Sequence, residues 1–417
     1  MIKGKRKSPQ WRRSLTEGIM LNHLMEGLSL AGDLAEGKPT EHAKNMAFIA
    51  SSIGTAMDLP KTEIRLLYYA GLLHNILCDD CDHHRIRKIQ EEEEGEDVVL
   101  PLLMEVEEIV MLAHENWDGS GPLGRQGTEI PLLARILAVA MIMTEAWDTS
   151  RDYLTWRPNI ERYIEKYKGI IFDPTIVKTA KNLLKDYRFT LDISRVVELD
   201  RWKALFETEQ RIYGDSLRIV GVLFAHFIDQ KGIGTANHSR DVAVVAKKLA
   251  RNFELGPEKE EEIYIAGLLH DLGKVVVPKE ILEKEGPLTK EERIIIERHP
   301  YYTALILDRI PELSSISRWA ASHHERLDGS GYFMGATAKE LSLEARIIAV
   351  SDVYAALASK RSYRNAMDRS MIINILQSEA MQNKLDKEIV EALVVNFDKY
   401  KRLLAITYSA ESPSLYM

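Results

Sequence analysis

The chain has 417 residues, more than most single domains contain, so we expect two domains. Its 63 acidic and 55 basic side chains give a net charge of −8, which argues against duplex DNA as the main partner because duplex binding needs a broad basic surface. Hydrophobic residues make up 45% of the sequence, enough for a large core, but they form no run of about 18 apolar residues that could span a membrane.

The N-terminal segment is basic but does not have the pattern of a signal peptide. The stretch MIKGKRKSPQWRRSL, residues 1–15, is not followed by the apolar run that a secretory signal requires. The sequence contains two cysteines, Cys78 and Cys81, which are too few for a secreted disulfide scaffold. We therefore expect a cytoplasmic protein.

The first clear periodic element is a helix that begins near His42, where apolar residues follow at the i+4, i+7 and i+11 spacing of one helical face. The same stripe begins 196 positions later, at His238. A second pair lies at the same offset, because YYAGLLHN, ending at Asn75, parallels YIAGLLHD, ending at Asp271. Later segments repeat at offsets of 211 and 213 positions, so the chain contains two copies of one unit.

Both copies are predicted to be helical. Long periodic segments alternate with turns, and no stretch shows the sustained period-two alternation of a half-buried strand. We therefore predict an all-α fold of two tandem helical bundles, with one domain at 1–200 and the other at 201–417. A long amphipathic helix over roughly residues 203–230 is expected to open the second copy.

The middle of the first copy contains two polar segments of its own. In CDDCDHH, residues 78–84, the Cys78–Cys81 pair and the two histidines form a candidate zinc site, and a loop with reduced thiols is the alternative. A single CxxC pair without a distant second pair favours the loop. The following QEEEEGEDV, residues 90–98, is typical of a solvated acidic loop.

A turn of nearly the same sequence occurs once in each copy. AHENWDGSGPL occupies residues 113–123, and HHERLDGSGYF occupies residues 323–333. The first copy has Ala113 where the second has His323. This difference suggests that both copies need the turn for folding, while only the second needs the histidine for chemistry.

The second copy concentrates ionisable residues on apolar faces. A lone histidine there is more often a core residue than a ligand, but burying this many imidazoles and carboxylates without a cation would leave polar groups uncompensated. Five histidines and two aspartates suit a pair of transition-metal ions better than one tetrahedral zinc. Neighbours on a helix point about 100° apart, so we expect the carboxylate of the adjacent His-Asp pair to bridge the two ions. The predicted ligands are His238, His270, Asp271, His299, His323, His324 and Asp352.

These residues lie in motifs that resemble the HD-GYP family of cyclic di-GMP phosphodiesterases. The resemblance implies one ion held by His238, His270 and Asp352. It implies a second ion held by His299, His323 and His324, with Asp271 between the two. The motifs follow one another through most of residues 205–400 and are HDLGK (270–274), HP (299–300), HHERLDGSGYF (323–333), ARIIAVSDVYAAL (345–357) and RSYRNA (361–366).

The resemblance also implies the catalytic and substrate-binding groups. Asp271 and Lys274 are the expected catalytic residues, and Lys274, Arg361 and Arg364 are expected to bind the substrate phosphates. Lys274 lies four positions after His270, so it is predicted to share its helical face. Without the neighbouring motif, the two arginines would be interpreted as an ordinary solvated helix face.

The implied cofactors are two divalent ions, iron or manganese. A water molecule shared by two such ions loses a proton near neutral pH and becomes a nucleophile towards phosphorus. The expected product is the linear dinucleotide pGpG, and a second cleavage to GMP remains open.

Four positions depart from the family pattern. Phe333 replaces the proline that stiffens the GYP turn; because this loop is associated with partner proteins in the family, the departure bears on the choice of a diguanylate cyclase-type partner. Ala355 replaces the second aspartate of the usual DVFDAL pattern, which alters the surroundings of the metal. Gly234 stands where some members have a glutamate for a third ion, so we predict two ions. Asn365 replaces a frequent lysine and is expected to weaken phosphate binding slightly.

The first copy lacks essential parts of this ligand set. An asparagine cannot supply the negative bridge between two cations, and the segment between the second and third retained histidines is 14 residues shorter, so the helix with the middle histidine is missing. We predict a degenerate, non-catalytic domain that packs on the second copy, mediates a homodimer or binds a nucleotide without cleaving it. The retained histidines are His42, His74 and His114, and the substitutions are Asn75, Ala113 and Met141.

Three functions compete on the sequence alone. Hydrolysis of cyclic di-GMP is the leading prediction. Hydrolysis of another nucleotide, such as cyclic GMP–AMP or a guanosine tetraphosphate, stays open because the loops that read the bases are not placed by the sequence. A cyclic-dinucleotide receptor is the third, and although the complete ligand set argues against it, Phe333 and Ala355 keep it open.

Overall fold

The computed structural model describes residues 18–77, 99–146, 153–193, 210–213, 220–222, 224–225, 238–358 and 367–407. These residues are mostly helical, and the prediction of an all-α fold with two tandem helical bundles is confirmed. The chain divides into two compact units, one from Leu24 to Gln210 and the other comprising residues 18–23 together with those from Arg211 onwards. Within the described ranges, no helix combines the length and the apolar character needed to cross a membrane.

The first unit contains most of α1 and the seven helices that follow it in the described ranges. The core is formed where α2 packs against α3 and α5, so each of these helices carries a buried apolar face. The helices are α1 (Leu21–Ala35), α2 (His42–Ala56), α3 (Lys61–Leu77), α4 (Val99–Leu112), α5 (Leu132–Glu145), α6 (Tyr153–Lys166), α7 (Pro174–Leu183) and α8 (Tyr187–Ile193).

The second unit repeats this arrangement with additional short helices. The helices His238–Asn252 and Pro257–Leu269 pack against each other, and both pack against the long helix Leu343–Ala358. Its described helices are α9 (His238–Asn252), α10 (Pro257–Leu269), α11 (Lys279–Leu282), α12 (Lys290–Ile296), α13 (His299–Leu307), α14 (Ser314–Ala321), α15 (Leu343–Ala358), α16 (Arg369–Met381), α17 (Lys387–Val395) and α18 (Phe397–Thr407).

A glycine lets the two histidine-bearing helices approach closely in each unit. A Cβ atom on Gly71 would lie 2.4 Å from Cα of Ala47, and one on Gly267 would lie 2.6 Å from Cα of Ala243. Distances this short between backbone atoms leave no room for a side chain, so only glycine allows the contact. The same contact recurs at the same repeat offset, so the duplication extends to the packing of α3 on α2 and of α10 on α9.

In both units a partly buried ion pair fixes the N-terminus of a helix. Asp173 caps α7 by accepting a hydrogen bond from Thr175 N, and it also accepts one from Arg135 Nη1 at 2.5 Å. In the second unit Asp386 caps α17 and accepts from Arg346 Nη1 at 3.0 Å. Arg135 lies on α5 and Arg346 on α15, so each ion pair also ties the capped helix to a second helix of its unit.

The prediction of a continuous helix over residues 203–230 is wrong at two described positions. Arg211–Ile212 forms strand β2, which pairs antiparallel with strand β1, Ile19–Met20. His23, at the start of α1, then bonds Glu312 through Nδ1 at 2.9 Å. Because the partner strand lies about 190 residues earlier in the chain, helical periodicity near residue 211 gave no sign of it.

Asp33 makes the stability of the first unit depend on pH. Its side chain is fully buried, and it accepts hydrogen bonds from Ala43 N and from Asn75 Nδ2 at 3.1 and 3.0 Å. Burial outweighs these bonds and raises the pKa of Asp33 to about 7. The folded state therefore retains a proton that the unfolded state releases near pH 4, so this group makes the protein less stable as the pH rises from about 4 to about 7.

We expect Asp33→Asn to remove this loss of stability. Asparagine has the shape of the protonated acid and carries no charge, so at pH 8 the variant should gain on the order of 4 kcal/mol, and at pH 4 it should gain little. Denaturant unfolding at both pH values measures the difference. Glu36→Gln removes the same charge from an exposed position of the same segment and serves as the control. Equal gains at pH 4 and pH 8 would contradict the expectation.

Candidate metal centre

The seven predicted ligands come from five elements of the second unit. His238 opens α9, and His270 and Asp271 follow the last residue of α10. His299 is the first residue of α13, His323 and His324 lie just after α14, and Asp352 lies in the middle of α15. Of the five imidazoles of the cluster, those of His270, His299 and His323 are fully buried.

The ligand atoms of these residues fall into groups that are small enough to hold a metal ion. One group is His299, His323 and His324, and within it the ligand atoms lie within 4.8 Å of one another. A second group of the same dimension is His238, His270 and Asp352. These are the same two triads that the family resemblance assigns to separate ions.

Asp271 lies between the two triads and turns one oxygen towards each. Its Oδ2 is 3.2 Å from His270 Nε2 on one side. Its Oδ1 is 3.3 Å from His299 Nε2 and 3.6 Å from His323 Nε2 on the other. A carboxylate in this position can contribute a ligand atom to each of two neighbouring ions.

Backbone carbonyls set the tautomer of three of the histidines. His270, His299 and His323 each direct Nδ1 at the carbonyl oxygen of the residue three positions earlier, at 2.7 Å in every case. An Nδ1–H that donates to this carbonyl leaves the lone pair on Nε2, and the Nε2 atoms face the centre of the cluster. The helix ends therefore present three imidazoles in the form that binds a metal.

Burial lowers the pKa of most of the imidazoles, so they are neutral near pH 7. Burial is the largest influence and lowers the pKa of His238, His323 and His324, and it lowers the pKa of His299 to about 4. His270 is the exception, because burial lowers its pKa but the carboxylates of Asp271 and Asp352 outweigh it and raise the value. A metal ion at His270 would compete with that proton.

Both carboxylates of the cluster are held ionised. Burial raises the pKa of Asp271, but the charges of His270 and Lys274 outweigh it, so the pKa lies well below its usual range. For Asp352, burial is likewise outweighed by the hydrogen bond from His238 and by the neighbouring imidazoles. Ionised carboxylates among neutral imidazoles are the donor set that divalent transition metals prefer.

Three buried polar atoms of the cluster support the same conclusion. His238 Nδ1, His270 Nε2 and Asp271 Oδ1 are inaccessible to solvent and have no hydrogen bond of good geometry within the described part of the chain. Unpaired buried polar atoms are costly, and such atoms are rare unless a ligand, a water or an ion satisfies them. The donor set and these unpaired atoms together fit divalent metal ions.

The predicted position of Lys274 on the helical face of His270 is wrong. Helix α10 ends at Leu269, and Leu272–Val276 continues as a 3₁₀ turn, so the α-helical spacing does not apply. Lys274 Nζ instead donates to Asp271 Oδ2 at 2.5 Å. The ammonium group therefore stands beside the Asp271 carboxylate, with 19% of its side chain exposed.

The duplicated turn is organised by a buried glutamate that the sequence analysis did not single out. Glu325 accepts hydrogen bonds from the backbone of Met334 and Ala336 at 2.7 and 2.8 Å. In the first unit Glu115 accepts from Leu123 and Arg125 at 2.6 and 2.8 Å. The glutamate that follows the histidine in each motif was the available signal, and its presence in both copies agrees with a folding role for the turn.

The first unit retains a remnant of the centre. His42 and His74 have ring centroids 5.5 Å apart, and Glu145 lies 3.6 Å from His42 Nε2. Lys38 Nζ donates to Glu145 at 2.6 Å, so an ammonium group already neutralises this carboxylate. His114, the third retained histidine, is exposed.

No group of three potential metal ligands occurs among the described residues of the first unit. Asn75 occupies the position that corresponds to Asp271, and it donates to Asp33. Arg361, Arg364, Asn365 and Gly234, together with the cysteine motif at 78–84, lie outside the described residues.

The fold and the cluster define a helical metal-binding domain built on a His-Asp pair. The HD domain family matches residues 92–176 and 223–389, so the chain belongs to the HD domain family. The two matched ranges fall in the two copies, and the resemblance to HD-GYP proteins that the motifs indicated is confirmed by the relatives.

Two relatives match along most of the chain. A 3′3′-cGAMP-specific phosphodiesterase of Vibrio cholerae is 28% identical over 400 residues, which cover 89% of this chain and 90% of that protein. The crystal structure of a cyclic GMP-AMP-specific phosphodiesterase of the same organism superposes with a TM-score of 0.64 at 26% identity, covering 91% of this chain and 98% of that one.

A third relative matches a shorter part of the chain at a higher sequence identity. A cyclic di-GMP phosphodiesterase of Pseudomonas aeruginosa is 40% identical over 140 residues, which cover 33% of this chain and 34% of that protein. Likeness to the cyclic GMP-AMP enzymes therefore extends over both copies, whereas this match covers about a third of either chain.

Proposed function

We propose that this chain is a metal-dependent phosphodiesterase that opens a 3′,3′-linked cyclic dinucleotide at the centre in its second unit. The observation that carries the proposal is the position of Asp271, with one carboxylate oxygen 3.2 Å from His270 and the other 3.3 Å from His299. A buried carboxylate shared by two imidazole-rich triads is suited to a binuclear hydrolytic site.

Each ligand has a role in this proposal. His238, His270 and Asp352 hold one ion, and Asp271 contributes to both ions. The remaining triad, His299, His323 and His324, holds the other. Iron or manganese suits this mixture of imidazole and carboxylate, and bound ions of this kind supply Lewis acidity and an activated water at neutral pH.

The chain's own residues orient the substrate and balance its charge. Lys274 Nζ, beside Asp271, is placed to offset negative charge that develops on the phosphoryl oxygens. His324 is the most exposed imidazole of the cluster, with 24% of its side chain accessible, and so marks the open side from which a phosphate approaches. Arg361 and Arg364 are assigned to the outer phosphates on the family resemblance.

The preferred substrate in this proposal is 3′3′-cGAMP. The support is that likeness to the cGAMP-specific relatives extends over both copies, at 89% of this chain. Cyclic di-GMP, which the motifs alone favour, is the second candidate, supported by the 40% identity to the Pseudomonas enzyme. A homodimer and a diguanylate cyclase-type partner remain predictions from the sequence.

Chromatography of reaction products tests the proposal. The full chain is purified without oxygen, loaded with Mn(II) or Fe(II), and incubated with 3′3′-cGAMP, with cyclic di-GMP and with a linear dinucleotide. We expect conversion of both cyclic substrates to linear products, with the larger kcat/KM for 3′3′-cGAMP, and about two ions per chain by elemental analysis. Binding of either nucleotide without turnover under both metals would identify a receptor and contradict the proposal.

A further inference from the structure

Two aromatic side chains stand exposed beside the metal centre. Tyr301 on α13 is 49% exposed and Phe333 in the duplicated turn is 39% exposed. Their ring centroids are 5.8 Å apart, and the rings are nearly perpendicular, with an interplanar angle of 83°. The pair therefore forms a small aromatic corner that is partly exposed to solvent.

The corner lies at the rim of the centre and not inside it. Tyr301 follows His299 by two positions, and because two helical residues turn about 200°, its ring points away from the imidazole. Phe333 follows Tyr332, whose ring packs against that of His324 at a centroid distance of 4.8 Å. Both rings are thus linked through the backbone to predicted metal ligands, while each side chain stays more than a third exposed.

A nucleotide engages two kinds of surface at once. Its phosphate is attracted to cations and its base to an aromatic face, and the two groups are separated by the sugar. An aromatic corner at the rim of a cluster that binds a phosphodiester is therefore placed for a base. Stacking on an aromatic side chain contributes to binding and tolerates different bases, because every base has a π face.

We infer that Tyr301 and Phe333 bind one purine base of the cyclic dinucleotide by stacking, with the scissile phosphate at the metal ligands. This inference rests on the proposed function and adds to it two specificity-determining residues outside the ligand set. Phe333 stands where the signature motif has a proline, so the base-stacking face belongs to this chain's version of the turn. The corresponding turn of the first unit ends in Leu123, which offers no aromatic face.

Steady-state kinetics of four variants of the full metal-loaded chain test the inference. Phe333→Ala and Tyr301→Ala remove a ring, whereas Phe333→Tyr and Tyr301→Phe keep one. We expect each alanine variant to raise KM for 3′3′-cGAMP and for cyclic di-GMP by about 5- to 50-fold, while kcat changes less than about 2-fold. The ring-retaining variants should keep KM within about 2-fold of the parent chain.

A substrate without a purine separates base binding from damage to the centre. The kcat for bis(p-nitrophenyl) phosphate, measured at saturating substrate, should change less than about 2-fold in the alanine variants, because cleavage needs the metal ligands even where its nitrophenyl rings stack on the corner. Met371→Ala removes an apolar side chain of similar exposure from α16, 50% accessible, and should leave all three substrates unaffected. Thermal unfolding confirms that the variants fold.

The outcomes distinguish this inference from the proposed function. Turnover of cyclic dinucleotides with unchanged KM in both alanine variants would overturn the inference alone and would leave the corner as a surface for a protein partner. A parallel fall in kcat for bis(p-nitrophenyl) phosphate would also overturn it, since the rings would then support the metal ligands. Absence of cyclic-dinucleotide turnover in the parent chain would overturn both.

Discussion

Asp271→Asn is expected to abolish hydrolysis of cyclic dinucleotides. Asparagine has nearly the same size, but it is neutral, so the two triads lose the negative charge of the one carboxylate that faces both of them. Changes of groups that merely support a metal ligand cost about 10- to 100-fold. A residue that faces both triads should cost more, so we expect kcat to fall by more than about 100-fold and the metal content to fall below two ions per chain.

The first unit offers a matched control for this variant. Asp33 is also a fully buried aspartate, but its pKa is raised to about 7, whereas that of Asp271 is lowered well below its usual range. Asp33→Asn should therefore leave kcat unchanged and stabilise the protein at pH 8. An Asp271→Asn variant that keeps two ions and more than about a tenth of the parent kcat would exclude the bridging role.

Gly273→Ala is expected to disrupt the centre without altering any ligand. A Cβ atom at this position would lie 1.9 Å from the carbonyl oxygen of His299 and 2.5 Å from the backbone nitrogen of Thr303. Both atoms belong to the backbone of α13, which cannot yield as a flexible side chain does. Helix α13 must move, and His299 moves with it.

We expect a large loss of stability together with the loss of one ion. Inserting a methyl group into a packed core commonly costs about 1–3 kcal/mol, and a clash with backbone should lie at or above the upper end of that range. Thermal unfolding and elemental analysis of the purified chain measure the two effects. An unchanged melting temperature with two bound ions would show that the contact is not essential.

Two further variants calibrate the result. Gly221→Ala would bring its Cβ 3.0 Å from Leu268 Cδ1, a terminal methyl that can move, so a small effect is expected. Thr303→Ala removes the hydroxyl that accepts from Gly273 N at 2.9 Å and donates to His270 O at 3.0 Å. It loosens the same contact without a clash, so if Gly273→Ala does not fold, this variant should still show weakened metal binding.

The sequence by itself determined the duplication, the helical class and the identity of the cluster. Helical periodicity is a local property, so the stripes that begin at His42 and His238 predicted helices without knowledge of their partners. The constant offset between them revealed two copies. The chemistry of the side chains was equally local, because histidine and aspartate on apolar faces require a partner wherever they are buried.

Only the tertiary structure decided how these residues meet. That Asp271 turns one oxygen to His270 and the other to His299 depends on α13 lying against the 3₁₀ turn, a contact that Gly273 permits. Helix α10 ends at Leu269, so Lys274 lies beside the Asp271 carboxylate and not on the predicted helical face.

The remaining differences from the sequence prediction have the same cause. Strand β2 forms because Ile19–Met20 is available to pair with it, and residues so distant in sequence leave no periodic signal near Arg211. The buried carboxylates of Glu325 and Asp33 acquired their roles from backbone groups that folding brings to them. Local patterns specify which residues are helical and which are reactive, whereas distances between them depend on contacts among segments far apart in the chain.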